Sequence, residues 1–192
     1  MIAAVVYTSE TGFTEKYAKW ISSQLACDCF PADDISAENL RRYGVIIYGG
    51  WIYDGVIQGL KKFLPLVRGK KLIVFGVGAL PESEKRTVAL ASKNKLADIP
   101  FFYFTGGVRF DDLTRSRRNG LKALQRGGNR GSLAKLSDEV RFFRDHYGES
   151  FDNASKSETY ELVKLADDLR SAKPGLRRAV RSDIRPNREA DE

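Results

Sequence analysis

Five short apolar runs alternate with stretches of helical periodicity over the first hundred residues, and this alternation constrains the fold more than any other feature. Ile2–Tyr7, Cys27–Phe30, Val45–Tyr48, Leu72–Phe75 and Phe101–Phe104 are rich in β-branched and aromatic residues and too short for buried helices. Runs that are apolar throughout, rather than alternating, suit strands covered on both faces, as in a parallel sheet. Between them, Tyr17, Ala18, Ile21 and Leu25 recur at helical spacing, as do Leu60, Phe63, Leu64 and Val67. Ala37–Arg42 and Glu82–Leu96 read as further helices, the first with Ser36 as its cap. Strand and helix in strict alternation predict an α/β, doubly wound five-stranded parallel sheet.

After Phe104 the alternation breaks. Thr105–Asn129 is rich in Gly and Arg with weak periodicity, and reads as a loop or irregular insertion. Leu133, Leu136, Val140 and Phe143 then form a helical stripe, and a last helix is expected over Ser157–Ser171, stopped by Pro174-Gly175. The chain is therefore read as one domain over residues 1–172, with 105–150 as an insertion and extra helix, followed by a basic tail over 173–192.

Charge is unevenly distributed. The net charge of +7 comes largely from Arg109, Arg115, Arg117, Arg118, Lys122, Arg126 and Arg130 in the insertion, and from the arginines of the tail. Such clusters suit an anionic partner. They lack the interleaved aromatics that stack on bases, which disfavours nucleic acid. No apolar run reaches the ~20 residues that cross a bilayer. The chain runs from Met1 straight into a strand, so no secretory leader and a cytoplasmic location are expected.

Cys27 and Cys29, spaced i,i+2, would make a poorly shaped disulfide and lack further ligands for a metal, so they read as half-buried free thiols. The single histidine, His146, sits in a segment that reads as a helix end rather than a catalytic centre. No catalytic side chain and no metal ligand is assigned, and any chemistry is expected to reside in a cofactor.

The most informative segment is Val5-Val6-Tyr7-Thr8-Ser9-Glu10-Thr11-Gly12-Phe13-Thr14. A buried strand delivers hydroxyl residues and a glycine to the start of a helix, where unpaired N–H groups and the helix dipole favour an anion. There is no Gly-Lys-Ser/Thr for a triphosphate and no Gly-x-Gly-x-x-Gly for a dinucleotide. A cradle of dipoles and hydroxyls without Lys or Arg suits a buried monophosphate. The alternative is a capped helix that binds nothing.

The run from Val5 to Ile21 resembles the flavodoxin signature: apolar residues and an aromatic, then hydroxyls, glycine and threonine, then Ala18 and Ile21 in the helix. The resemblance extends over the five strand–helix units and the last helix. It implies the strand order 2-1-3-4-5 and flavin mononucleotide (FMN) as cofactor. The phosphate would lie on Ser9, Glu10, Thr11, Gly12, Phe13 and Thr14, with the backbone N–H acting at Glu10 and Phe13 and the Glu10 side chain pointing to solvent.

The isoalloxazine ring would lie between the loops after strands three and four. This places Gly50, Trp51, Ile52, Tyr53 and Gly78 against it, with Trp51 or Tyr53 stacking. The second loop, Gly76–Pro81, lacks the aromatic that usually covers the outer ring face. Electron transfer through FMN is the implied function, with a redox partner protein, a quinone or a small acidic substrate as partner. The Lys61-Lys62-Phe63 stretch after Gly59, and Phe104-Thr105-Gly106-Gly107-Val108-Arg109-Phe110, resemble more loosely the quinone-dependent protoporphyrinogen dehydrogenases. A flavoenzyme of that kind is one alternative. A non-catalytic domain that keeps the fold for partner binding is another.

Overall fold

The computed structural model describes residues 1–126 and 138–172. Five strands form the parallel sheet: β1 (Ala3–Thr8), β2 (Asp28–Pro31), β3 (Val45–Tyr53), β5 (Lys71–Gly78) and β6 (Phe101–Thr105), in the order β2-β1-β3-β5-β6. Counting only parallel strands, this is the expected 2-1-3-4-5. A short strand, β4 (Val56–Ile57), runs back antiparallel along β3.

Residue alternation along each strand explains the two cores. Val5, Ile47 and Ile73 are in register across β1, β3 and β5 and face one side. There they pack with Tyr17, Ala18, Ile21 and Leu25 of α1 (Phe13–Leu25) and with Leu162 and Ala166 near the C-terminus. Ala4, Val6, Ile46, Tyr48 and Val74 face the other side. They are covered by Leu40, Leu60, Phe63, Leu90 and Leu96, from the short turn Asn39–Arg42, α2 (Leu60–Phe63) and α3 (Glu84–Lys93) with its following loop. Only the first of these expected helices shrinks to a 3₁₀ turn, and α2 passes into 3₁₀ over Leu64–Val67, where Pro65 removes a donor.

Two expectations change. Val45–Tyr48 does not end at Gly49: β3 continues to Tyr53 and turns back into β4 through Asp54 (φ 46°) and Gly55 (φ 71°). Two left-handed residues between paired Tyr53 and Val56 make a tight hairpin, for which Asp-Gly is the favoured pair. Gly49 stays inside the sheet because the Phe75 ring on β5 lies against it; a Cβ there would sit 2.0 Å from Phe75 Cζ.

The second change is in the insertion, whose described residues are not irregular. β7 (Gly107–Val108) pairs antiparallel with β8 (Phe151–Asp152), and between them lie α4 (Arg115–Arg126) and α5 (Asp138–Asp145). Arginine, leucine and lysine are good helix formers, and the Thr114 hydroxyl caps α4 by accepting the Arg117 N–H at 3.4 Å. Leu133, Leu136 and the tail from Lys173 lie outside the described residues. The last helix, α6 (Tyr160–Ser171), follows a 3₁₀ turn over Lys156–Thr159.

The 3₁₀ turn that leads into α6 is tied to α1 by Tyr17. Its O–H, 2.7 Å from the Thr105 carbonyl and 2.5 Å from Glu158 Oε2, shares one hydrogen between two acceptors and accepts the Ser155 N–H. Burial and the Glu158 carboxylate push this phenol far above its ordinary range. His146 ends α5: its backbone N–H donates to the Phe142 carbonyl, and its ring stacks on Phe142.

Cys27 and Cys29 are free and half-buried. Burial pushes the Cys27 thiol up to about 11, and raises Cys29 as well. Since only thiolate reacts, a maleimide at pH ~8 should label both in the folded protein much more slowly than an ordinary thiol of pKa ~8.5. Unfolding should restore the ordinary rate. Equal rates in the folded and unfolded chain would contradict this environment.

Candidate functional site

At the carboxyl end of β1 the chain turns through Ser9–Gly12 and enters α1. Gly12 is the N-cap residue, in the left-handed region at φ 86°, and no side chain caps the helix. The first amides of α1 therefore point outward with the positive end of its dipole behind them. Two hydroxyls face the same turn. Ser9 Oγ and Thr14 Oγ1 are buried and have no hydrogen-bond partner among the described residues. Thr14 is only 1% exposed. A buried hydroxyl left unpaired costs on the order of 1–3 kcal/mol, a cost that persists when the group serves a ligand. The tetrahedral oxygens of a phosphate would satisfy both.

The carboxyl ends of β3 and β5 complete a narrow cleft of about 60 Å³. Ser9, Glu10, Thr11, Phe13, Thr14, Trp51, Ile52, Tyr53 and Gly78 line it. The two remaining sequence-predicted residues do not. Gly12 is the N-cap residue of the turn itself, and Gly50 is buried within β3, where a Cβ would strike the Gln58 carbonyl at 2.6 Å. Trp51 and Tyr53, two apart on one strand, show their faces on the same side, with ring centroids 6.0 Å apart.

The insertion supplies what the sequence reading lacked. Leu113, Arg117 and Leu121 also line the cleft, and their i, i+4, i+8 spacing is the signal that could have marked them as one stripe. The Arg117 guanidinium lies over Tyr53 at 4.1 Å and over Trp51 at 4.7 Å from the ring centroids. The guanidinium covers this aromatic pair, so a planar ring would have to displace it to stack on the same face. Glu10 does not point to open solvent as expected. Its side chain is 14% exposed, its Oε2 is 3.6 Å from Arg117 Nε, and it accepts the Thr114 hydroxyl. Arg117 of α4 and Thr114 just before it hold the carboxylate at the wall of the cleft. Arg109, which sequence reading placed only in a charged cluster, reaches the turn itself, with Nη1 3.1 Å from where a Gly12 Cβ would stand.

Among the described residues no group of three His, Cys, Asp or Glu side chains could hold a metal, and no helix is long and apolar enough to cross a membrane.

An open parallel sheet with a cleft at the carboxyl ends of its strands, where the strand order reverses between β1 and β3, is a doubly wound ligand-binding domain. The flavodoxin domain profile matches residues 4–131. The chain belongs to the flavodoxin family. No curated protein matches the sequence. Among solved structures it is similar to a flavodoxin from the domain Archaea, at 22% identity and TM-score 0.43, covering 64% of this chain and 95% of that one. It is also similar to oxidised Flavodoxin 2 from Bacillus cereus, at 21% identity and TM-score 0.40, covering 54% and 84%. Oxidised Flavodoxin 1 from Bacillus cereus aligns at 18% identity and TM-score 0.36, covering 71% and 100%.

Proposed function

We propose that this chain binds FMN in the cleft between the β1–α1 turn and the β3–β4 hairpin, and serves in electron transfer. The observation that carries this reading is the pair of buried hydroxyls of Ser9 and Thr14, without a partner among the described residues, at the uncapped start of a thirteen-residue helix. When bound, FMN supplies the redox chemistry. The protein's residues hold and tune it. Amides at the α1 start, with Ser9, Thr11 and Thr14, hold the phosphate; Trp51 and Tyr53 offer the stacking face; Leu113, just before α4, and Leu121 within it shield the opposite side from water. No acid–base residue is required of the protein.

The reading extends to a redox partner protein, a quinone or a small acidic molecule as the electron partner. A second cleft favours an acid. It shares Ile52 with the first, has an apolar floor of Leu90 and Tyr103, and carries Lys85, Arg86 and Lys93 on its wall. This is also the observation that keeps a protoporphyrinogen dehydrogenase-like activity as a second reading, because that substrate is an apolar macrocycle bearing carboxylates.

Protein purified from cells should be yellow with the visible spectrum of bound flavin, and stripping then re-adding FMN should remove and restore the colour. A colourless protein that takes up no FMN on titration would overturn the reading in favour of a partner-binding domain that keeps only the fold.

A further inference from the structure

We infer that Arg109 is the counter-charge for the ligand's phosphate, so that the site selects a phosphorylated flavin through a guanidinium delivered from the far edge of the sheet. The inference rests on the FMN reading above and adds a residue to it.

Three observations converge. The guanidinium stands against the helix start: Nη1 is 3.1 Å from the Cβ position at Gly12, and Cζ is 5.4 Å from the ring centroid of Phe13, the first residue of α1. No carboxylate lies within ion-pair distance of it among the described residues. Asp152, an acid that feels its charge, is already held by Lys16 at 2.7 Å. A cation at a helix N-terminus is repelled by the dipole, so this arrangement is unfavourable until an anion binds beside both. Finally, the unpartnered Ser9 and Thr14 hydroxyls converge on the same turn, so the anion has neutral donors waiting as well as a charged one.

The backbone that presents Arg109 is fixed on both sides. Val108 pairs with Phe151, and the Phe110 N–H donates to Ser150 Oγ at 2.9 Å. The Arg109 carbonyl accepts the Asp112 N–H at 3.1 Å. Gly107 permits this approach, since a Cβ there would lie 2.1 Å from the Phe151 carbonyl and 2.6 Å from Phe13 Cζ. A guanidinium held this way can donate two N–H bonds to a phosphate, the geometry for which arginine is suited.

The test is titration of the flavin-free protein with FMN and with riboflavin, followed by flavin fluorescence at low and high salt, for the wild type, Arg109→Gln and Arg109→Lys. Wild type should prefer FMN, with an affinity that falls as salt rises. Arg109→Gln should weaken FMN by about 10–100-fold, the range for a charge-assisted hydrogen bond, flatten the salt dependence, and leave riboflavin within about 3-fold; Arg109→Lys should recover part of the loss, as a point charge without the fork. Equal FMN affinity in wild type and Arg109→Gln would overturn the inference while leaving the FMN reading intact. So would equal loss of FMN and riboflavin, which marks a structural role. A wild type that binds neither flavin defeats the FMN reading itself.

Discussion

Thr14→Val should stabilise the flavin-free protein and at the same time weaken FMN binding by about 10–100-fold. The two signs follow from one atom. Thr14 is 1% exposed, and its Oγ1 has no partner among the described residues. Valine keeps the shape of the side chain and removes the unsatisfied hydroxyl, relieving a cost of about 1–3 kcal/mol. At roughly 2–4 °C per kcal/mol for a chain of this size, Tm should rise by a few degrees. The same hydroxyl is the group proposed to donate to a phosphate oxygen, and hydrogen bonds to charged groups contribute about 1.5–3 kcal/mol. Thermal melts of the flavin-free protein and FMN titrations of both variants check the pair of effects. A variant that melts lower and binds FMN unchanged would mean that Oγ1 serves the fold and not a ligand.

Gly49→Ala should cost about 3 kcal/mol or more, lowering Tm by about 6–12 °C, although the substitution adds a single methyl to a strand. Gly49 is buried in the middle of β3, paired with Tyr7 on one side and Phe75 on the other. The added Cβ would lie 2.0 Å from Phe75 Cζ and 2.5 Å from both Cε atoms. That ring has little room to move: Phe75 is fully buried and packs on Phe104 with centroids 5.4 Å apart. Phe75→Leu in the same chain should recover part of the loss, because the collision is with the far end of the ring. Denaturant or thermal unfolding of the single and double variants measures the coupling. An unchanged melting temperature in Gly49→Ala would show that β3 and β5 are not in this register.

What could be read from the sequence follows the range over which each signal acts. β1, its turn and α1 are written in consecutive residues, and the spacing of Tyr17, Ala18, Ile21 and Leu25 gives the buried face of α1 directly. The strands of the parallel sheet were legible because burial on both faces demands runs such as Val45–Tyr48 and Leu72–Phe75. Their ends were not. Gly49-Gly50 and Gly76-Val77-Gly78 look like breaks, yet they lie within β3 and β5, and Gly49 is there because Phe75 leaves no space for a side chain. The Asp54-Gly55 turn was a local signal that went unused.

α4 was hidden for a different reason. Its inward stripe includes an arginine, and a charged residue facing a cleft has no place in a periodicity of apolar residues. The Glu10 side chain was misplaced as a consequence, since its partners are Arg117 of that helix and Thr114 that caps it. Arg109 was the least legible of all. Nothing near Gly12 in the sequence announces a cation, and only the antiparallel pairing of β7 with β8 brings one there.

The most direct test is the phosphorus-31 NMR spectrum of the FMN-loaded protein as pH falls through the second phosphate ionisation, near ~6 for a free monoester. Donors and a nearby cation favour the dianion, so the bound resonance should be displaced from that of free FMN and hold its position well below that pH. A resonance that coincides with free FMN and titrates with it would show that the β1–α1 turn does not enclose the phosphate.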